Sequence, residues 1–180
     1  RFGIRKNIMK SELKTRKHHF EMIIDENSRV LILGSLPSLM SEKNNFYYGN
    51  PFNRFWKIIG ALFNEDNLIN QSNEYKKEVI LKNHLALYDV IKECKIKGSS
   101  DNDIVKDSIV VMDLNEILKK YNIKLIALNG NKAYKIFKKY YPEYLYMTVK
   151  LPSTSSANAR CSLEKLIDEW KVIKKLDKFS

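Results

Sequence analysis

The sequence predicts an α/β domain, arranged as a three-layer α/β/α sandwich around a central four-stranded, mostly parallel sheet. Short apolar runs typical of strands buried on both faces alternate with amphipathic stretches typical of helices. Strands that are separated by helices are joined by crossovers and pair in parallel. The 180 residues, 44% of them hydrophobic, suffice for one domain with a buried core.

The first half of the chain supplies one strand and two helices. The run 29–34 (RVLILG) is continuously apolar and stops at a glycine, as a strand buried on both faces does. One side of 53–63 (NRFWKIIGALF) is apolar at helical spacing, which predicts a helix with Trp56 in the core. Residues 72–82 continue with a helical pattern.

The second half alternates strands and helices more regularly. Residues 85–91 (LALYDVI) form the second predicted strand, and the spacing of Asp113 and Glu116 resembles a capping box that opens a helix to Tyr121. The remaining predicted elements are a strand at 124–128, a helix at 131–140, a strand at 144–151 and a helix at 162–175.

Positive charge is concentrated at both ends of the chain. The net charge is +11, with +4 in residues 1–29, zero in 30–120 and +7 in 121–180. We expect 1–22 to be a basic N-terminal arm or extension and 23–180 to be the single folded domain. A basic surface suits a polyanion such as nucleic acid. It also fits an ordinary solvated surface, because 26 of the 32 basic residues are lysine.

Several functional classes are excluded by missing patterns. No apolar run reaches the roughly 20 residues of a membrane helix, so no membrane partner is expected. Two cysteines, the adjacent His18 and His19, and the single His84 do not have the spacing of a metal site. The phosphate-binding GxxxxGK[ST] motif, the dinucleotide GxGxxG motif and the GxSxG nucleophile elbow are all absent.

The candidate site lies in loops after the strands, because parallel sheets bind ligands beyond the carboxyl ends of their strands. That rule selects 34–41, 89–94, 129–132 and 152–160. The first region begins GSLPS and is followed by YYGNPFNRFW, and the last belongs to LPSTSSANAR. Both are unusually rich in small, polar and turn-forming residues.

GSLPS, YYGNPFNRFW and LPSTSSANA resemble the signature stretches of hypoxanthine-DNA (deoxyinosine) glycosylases, a branch of the uracil-DNA glycosylase superfamily. HLALYDVIKECKIKGSSDNDI and ALNGNKAYKIF match as well, so the likeness runs from about Asp25 to Trp170. It implies a four-stranded parallel sheet between helices. It also implies an enzyme that flips a deaminated base out of DNA and hydrolyses its N-glycosidic bond, leaving an abasic site. No metal or organic cofactor is implied.

The resemblance marks Asn53 as the catalytic residue. Its amide would position a water molecule or stabilise charge near the sugar C1′ as the bond breaks. Asn53 is also placed to cap the following helix. Tyr48 occupies the position where related mismatch-specific uracil glycosylases stack an aromatic ring on the flipped base. The alternative is that Tyr48 packs beneath its loop.

Asp89 lies at the end of the second strand, where similar uracil glycosylases place an asparagine that reads the base. A carboxylate only accepts hydrogen bonds, so it favours the N1–H of hypoxanthine over the bare N1 of adenine. Guanine also has an N1–H and would be excluded by its 2-amino group. The alternative is an aspartate that caps a turn. Ser35 and Leu36 complete the expected base-binding set.

Two positions depart from the uracil enzymes, and one departs from the hypoxanthine family. Leu36 replaces the Asp or Asn that activates water, and Leu151 replaces the His or Asn before Pro-Ser, which argues against efficient uracil excision. Ser156 stands where the family usually has proline.

Polar side chains of both loops are the expected DNA contacts. These are Ser38, Ser153, Thr154 and Ser155 for phosphates, and Asn158 and Arg160 for the backbone or the vacated base stack. An ordinary Ser/Asn-rich turn is the alternative for the second loop. Lysines at helical spacing offer either a DNA-facing stripe or a solvated face, namely Lys132, Lys135, Lys138 and Lys139.

The predicted function is therefore that of a monofunctional deoxyinosine-DNA glycosylase, since neither signature loop contains the lysine that a Schiff-base lyase needs. The expected partner is DNA containing deaminated bases, and the expected protein is a cytoplasmic monomer. The alternatives are a uracil or G/U-mismatch glycosylase, a non-catalytic nucleic-acid-binding module, and a nucleotide-binding α/β domain.

Overall fold

The computed structural model describes residues 13–98 and 103–175, which contain seven strands and six α-helices. The strands are β1 (Lys14–Lys17), β2 (Val30–Gly34), β3 (Leu85–Asp89), β4 (Ile91–Ile96), β5 (Val110–Val111), β6 (Leu125–Asn129) and β7 (Thr148–Leu151). The helices are α1 (Leu39–Lys43), α2 (Phe55–Leu62), α3 (Asn73–Lys82), α4 (Leu114–Lys120), α5 (Gly130–Tyr140) and α6 (Leu163–Trp170).

The main sheet has four strands in the order β3-β2-β6-β7, and every pair in it is parallel. The predicted four-stranded sheet is therefore confirmed. Gly34 pairs with Asp89, and Asn129 pairs with Leu151, at the last positions of their strands. The carboxyl ends of all four strands consequently meet at one edge, where the selected loops begin.

Helices cover both faces of this sheet, as the sandwich prediction requires. Val30 and Ile32 of β2 belong to the apolar cluster that contains residues of α2, α3 and α6. Leu31 and Leu33 point the other way, into a cluster with residues of α4 and α5. Trp56 is fully buried in the first cluster, which confirms its predicted core position.

A second sheet, which the sequence did not predict, lies beside the first. It is antiparallel, in the order β1-β4-β5. The predicted strand 85–91 was wrong in its extent, because the chain leaves the main sheet after Asp89 and enters β4 at Ile91. The apolar pattern hides this change, since Val90 and Ile91 are both fully buried.

Strand β1 falls within the segment 1–22 that the sequence suggested was an arm. Its four residues pair with β4, and the backbone N–H of His18 donates to the Lys92 carbonyl at 2.8 Å. Residues 13–22 are thus tied to the domain by backbone pairing. Residues 1–12 lie outside the described residues.

Other element boundaries shift by a few residues. Strand β7 is shorter than predicted because a 3-10 helix, Pro142–Met147, precedes it, and a proline suits the first turn of a helix. Helix α6 ends at Trp170 and continues as a 3-10 turn, Lys171–Lys174. None of the helices in residues 13–98 and 103–175 is long and apolar enough to cross a bilayer.

Candidate functional site

A cleft of about 950 Å³ opens at the carboxyl edge of the main sheet. Its size is near the top of the roughly 300–1,000 Å³ range of small-molecule sites, which leaves room for more than a single base. All of the predicted site residues line it, namely Ser35, Leu36, Ser38, Tyr48, Asn53, Asp89, Ser153, Thr154, Ser155, Asn158 and Arg160. The structure brings them together; their individual roles stay predictions.

Asp89 lies at the base of the cleft and is 4% exposed. Its carboxylate fits against Gly34, the residue paired with it across β2 and β3. A Cβ atom on residue 34 would lie 2.4 Å from Asp89 Oδ1 and 3.2 Å from the Tyr48 hydroxyl. The glycine is therefore required for the carboxylate and the tyrosine to approach each other beside β2.

His18 is a site residue that the sequence analysis missed. Its Nε2 lies 2.7 Å from Asp89 Oδ2, and its Nδ1 lies 3.1 Å from the Phe20 carbonyl oxygen. The His18 side chain is fully buried, with the Tyr88 ring centroid 4.5 Å from its own. No local signal marked it, because His18 follows a short polar strand and is 71 residues from Asp89.

Tyr48 is held in an unusual backbone conformation. Its φ of 52° lies in the left-handed region, which is costly for a bulky side chain and is often found at functional sites. The ring stacks on Phe55 at 4.1 Å between centroids, and the Asn129 Nδ2 donates to its hydroxyl at 3.2 Å. Burial and the nearby Asp89 carboxylate raise the Tyr48 pKa, so the phenol stays neutral.

Asn53 lies one residue before Arg54, the N-cap residue of helix α2, so the alternative interpretation of Asn53 as the helix cap was wrong by one position. Its Oδ1 accepts from the Phe55 N–H at 2.9 Å, and the same residue lines the cleft. This bond fixes one end of the amide, while the residue lines the cleft beside both loops. Asn53 therefore bonds the first N–H of α2 without being its N-cap residue, which is Arg54.

Asn129, at the end of β6, connects the tyrosine to the second loop. Its Nδ2 donates to Thr154 Oγ1 at 3.0 Å, and its Oδ1 accepts from the Thr154 N–H at 3.1 Å. Thr154 is only 1% exposed. Its hydroxyl thus holds the loop in place, and the predicted phosphate contacts of this loop depend on Ser153 and Ser155.

Arg54 is a second connector between the loops. Its guanidinium donates to the carbonyls of Ser155, at 2.8 Å, Asn158, at 3.1 Å, and Cys161. Its backbone N–H donates to the Thr154 carbonyl at 3.0 Å. One arginine therefore fixes the shape of residues 154–161 from the start of α2.

Arg16 performs a similar task for the first loop. It projects from β1, and its Nη2 donates to the Pro37 carbonyl at 2.6 Å and pairs with Glu42 at 2.7 Å. The side chain is 8% exposed and also lines the cleft. Strand β1 thus supplies Arg16 to the site, and His18 follows directly after the strand.

The remaining predicted residues differ in accessibility. Leu36 is 7% exposed and presents an apolar wall to the cleft. Ser38 caps α1 by accepting from the Ser41 N–H at 3.1 Å. Asn158 donates to the Ser153 carbonyl at 3.0 Å and closes its own loop, whereas Arg160 is exposed at the cleft.

Positive charge dominates the lining of the cleft. Five basic residues line it against two acidic ones, Asp89 and Glu169; the basic ones are Arg16, Lys132, Lys150, Arg160 and Lys165. Of the four lysines predicted as a stripe on α5, only Lys132 reaches the cleft. Among the described residues, no group of three His, Cys, Asp or Glu side chains could hold a metal ion.

Comparison with known proteins finds one family model and two named relatives that agree with one another. The family model described as the Uracil DNA glycosylase superfamily matches residues 22–177. A protein named hypoxanthine DNA glycosylase from Methanosarcina acetivorans is 38% identical over 87% of this chain and 97% of its own length. One of the same name from Methanosarcina barkeri is 35% identical over 86% and 96%.

A solved structure agrees with the described fold. The solution NMR structure of a Methanosarcina acetivorans protein, provisionally described as a uracil DNA glycosylase, superposes with a TM-score of 0.74. The two chains are 36% identical, and the match covers 91% of this chain and 99% of the other.

Proposed function

Because the chain belongs to the uracil DNA glycosylase superfamily, we propose that it is a deoxyinosine-DNA glycosylase, which hydrolyses the N-glycosidic bond of hypoxanthine in DNA. The observation that carries the substrate assignment is a buried carboxylate, Asp89, at the base of a positively lined cleft. The names of the two Methanosarcina relatives support the same substrate.

The base is read by Asp89 after it is extruded from the duplex. A carboxylate oxygen accepts from the N1–H of hypoxanthine, and the bare N1 of adenine leaves that buried acceptor unpaired. Rejection of an analogue that leaves a buried polar group unpaired is a strong source of specificity. Asp89 therefore separates the deaminated base from its parent.

Tyr48 forms the aromatic wall of the base pocket. Phe55 covers one face of the ring, and Tyr48 lines the cleft, so the other face is the one on which a base stacks. A stacked base gains about 1–3 kcal/mol. The neutral phenol also avoids placing a second negative charge beside Asp89.

Asn53 acts where the glycosidic bond breaks. Its Oδ1 is held by the Phe55 N–H, so the amide Nδ2 serves the substrate by donating to the purine as it leaves with negative charge. The sugar develops oxocarbenium character in the same step. Leu36 and Leu151 supply no general base, so water adds after most of the bond has broken.

The loops and the basic lining hold the DNA. Ser38, Ser153 and Ser155 contact phosphates beside the extruded nucleotide, and exposed Arg160 enters the space that the base leaves or binds the backbone. The enzyme acts as a monomer on the DNA of the cell interior, and no metal or organic cofactor takes part.

The test is base release from labelled duplexes that carry hypoxanthine, uracil, xanthine or adenine, with wild type and Asn53→Ala compared. We expect hypoxanthine release by wild type and a loss of about a hundredfold or more in the variant. The product strand should stay intact until alkali is added, because the enzyme is monofunctional. Borohydride should trap no covalent complex, although Lys132, Lys150 and Lys165 line the cleft.

The other outcomes point to the alternatives. Preferential release of uracil would assign the chain to the uracil branch despite Leu36. DNA binding without release of any base by either protein would indicate a non-catalytic binding module.

A further inference from the structure

The pairing of His18 with Asp89 gives the histidine a part in base recognition. We propose that His18 is a positioning residue that fixes the Asp89 carboxylate and keeps its Oδ1 a hydrogen-bond acceptor toward the extruded base. This inference rests on the proposed function and concerns the same site.

The two ring nitrogens have different partners, and these partners locate the protons. The Phe20 carbonyl can only accept, so His18 Nδ1, 3.1 Å away, carries a proton and donates it. His18 Nε2 faces Asp89 Oδ2 at 2.7 Å, a distance typical of a charge-assisted bond. That bond contains one proton, which belongs either to the imidazolium or to the carboxylic acid.

In both arrangements the other oxygen of Asp89, Oδ1, carries no proton. With the proton on the ring, Asp89 is an anion and Oδ1 accepts. With the proton on Oδ2, Oδ1 is the carbonyl oxygen of the acid and again accepts. The oxygen beside Gly34 therefore presents an acceptor in either case, which is what the N1–H of hypoxanthine requires.

Replacement of His18 would remove the bond that keeps the shared proton at Asp89 Oδ2. Asp89 is 6% exposed in its side chain, so its carboxyl would be left buried without the partner of Oδ2. The proton of an unpaired acid can sit on either oxygen, and a proton on Oδ1 would repel the N1–H of hypoxanthine and donate to adenine N1. His18 thus maintains the polarity on which discrimination depends.

Packing and backbone pairing fix the position of the His18 ring. Its ring is fully buried against Phe20, Tyr47 and Tyr88, at centroid distances of 5.7, 5.8 and 4.5 Å. Its backbone N–H is bonded to β4, which begins two residues after Asp89. The same antiparallel pairing that adds β1 to the domain therefore sets the position of the ring relative to the carboxylate.

A double-mutant cycle separates this role from a general effect on folding. Single-turnover hypoxanthine release is measured for wild type, His18→Phe, Asp89→Ala and the double variant. His18→Phe should slow release at least about tenfold in the wild-type background, and less than about twofold when Asp89 is already alanine, because no carboxylate is then left for His18 to position. His18→Gln, which keeps a donor toward Oδ2, should recover part of the loss.

His19→Phe is the matched control, because it makes the same change at the next residue, whose side chain is exposed. It should leave the rate unchanged. Equal losses from His18→Phe in both Asp89 backgrounds, or no loss in either, would overturn the inference. Thermal unfolding of each variant identifies any that fail to fold, and His18→Gln then carries the comparison.

A second measurement keeps this inference distinct from the proposed function. Ring ¹⁵N spectra of the histidine-labelled protein should show a protonated His18 Nδ1, and Asp89→Asn should move its Nε2 resonance but not those of His19 and His84. If the wild-type protein releases no hypoxanthine, the proposed function is refuted, and the base-recognition role of His18 is refuted with it. An unprotonated Nδ1, or an Nε2 resonance that Asp89→Asn leaves unmoved, refutes the pairing alone.

Discussion

At the scale of single residues, the site depends on side chains that fit closely around Asp89. Gly34 leaves the space that the carboxylate occupies, His18 bonds one of its oxygens, and the Tyr48 hydroxyl lies nearby. Asp89 and Tyr48 were predicted as site residues from the resemblance of their stretches to a known family. Their partners were not, since a contact between distant segments leaves no periodic trace in the sequence.

Gly34→Ala is expected to displace the Asp89 carboxylate. The new Cβ would lie 2.4 Å from Oδ1, and the paired strands leave little freedom to move apart. Hypoxanthine release should fall roughly ten- to a hundredfold, as loss of a buried hydrogen bond predicts. In an Asp89→Ala background the same substitution should have a much smaller effect, since only the 3.2 Å approach to the Tyr48 hydroxyl remains, and single-turnover rates of the four proteins test this.

Tyr48→Ala is expected to weaken recognition of the extruded base. Loss of a stacking ring costs about 1–3 kcal/mol, which corresponds to roughly a five- to 150-fold fall in kcat/KM. Tyr48→Phe keeps the ring and loses only the bond with Asn129, so its effect should be smaller. Tyr146→Ala, at a tyrosine that is 83% exposed, serves as the control. Equal kcat/KM values for wild type and Tyr48→Ala would exclude stacking.

At the scale of elements, the two signature loops form one unit. Arg54 at the start of α2 bonds three carbonyls of the second loop, and Asn129 at the end of β6 bonds Thr154. Strand β1 adds Arg16, which bonds the Pro37 carbonyl in the first loop. The loops therefore have little regular structure of their own and take their shape from residues on neighbouring elements.

Arg54→Met is expected to loosen the second loop. Methionine approximates the length of the side chain but removes the guanidinium that donates to three carbonyls of the second loop. The Ser155 and Asn158 carbonyls keep a backbone N–H donor each, whereas the Cys161 carbonyl loses its donor, which costs about 1–3 kcal/mol of stability where the group is buried. Both the free energy of unfolding and the affinity for an abasic-site duplex should fall. Arg160→Met is the comparison, since Arg160 is exposed.

The two variants should separate by measurement. Chemical denaturation should show a loss for Arg54→Met and almost none for Arg160→Met, whereas fluorescence anisotropy should show weaker DNA binding for both. If Arg54→Met leaves the Kd unchanged, the shape of the second loop does not govern binding.

At the scale of the whole molecule, part of the net charge of +11 lies around the cleft. Basic residues from β1, α5, β7, the second loop and α6 surround one cleft, although they are distant in sequence. Four of these five residues come from the basic segment 121–180, and one, Arg16, comes from the first 29 residues. A field of one sign around a cleft attracts a polyanion and makes its binding sensitive to salt.

Lys132→Gln is expected to reduce the salt dependence of DNA binding. Each phosphate contact contributes about one unit to the slope of log Kd against log salt, so the slope should fall by about one. Lys135→Gln, three residues along α5 and outside the cleft, should leave the slope unchanged. Identical slopes for the two variants would show that this charge does not face DNA. Anisotropy titrations across a salt series provide the comparison.

The parallel sheet, the positions of most helices and the loops around the cleft could be predicted from the amino-acid sequence alone. Apolar runs and helical spacing are local patterns, and the strand order places the ends of these strands together. The sequence also selected Tyr48, Asn53 and Asp89 through the resemblance of those loops to a known family, and all three line the cleft.

The residues that support the site could be identified only from the packing of the folded chain. Strand β1 is four polar residues long, so it has no apolar alternation to reveal it, yet it brings His18 to Asp89 across 71 residues of chain. Thr154 turns inward because Asn129 satisfies its polar groups there. Such pairings are fixed by the packing of distant segments, whose hydrogen-bond partners no local pattern specifies.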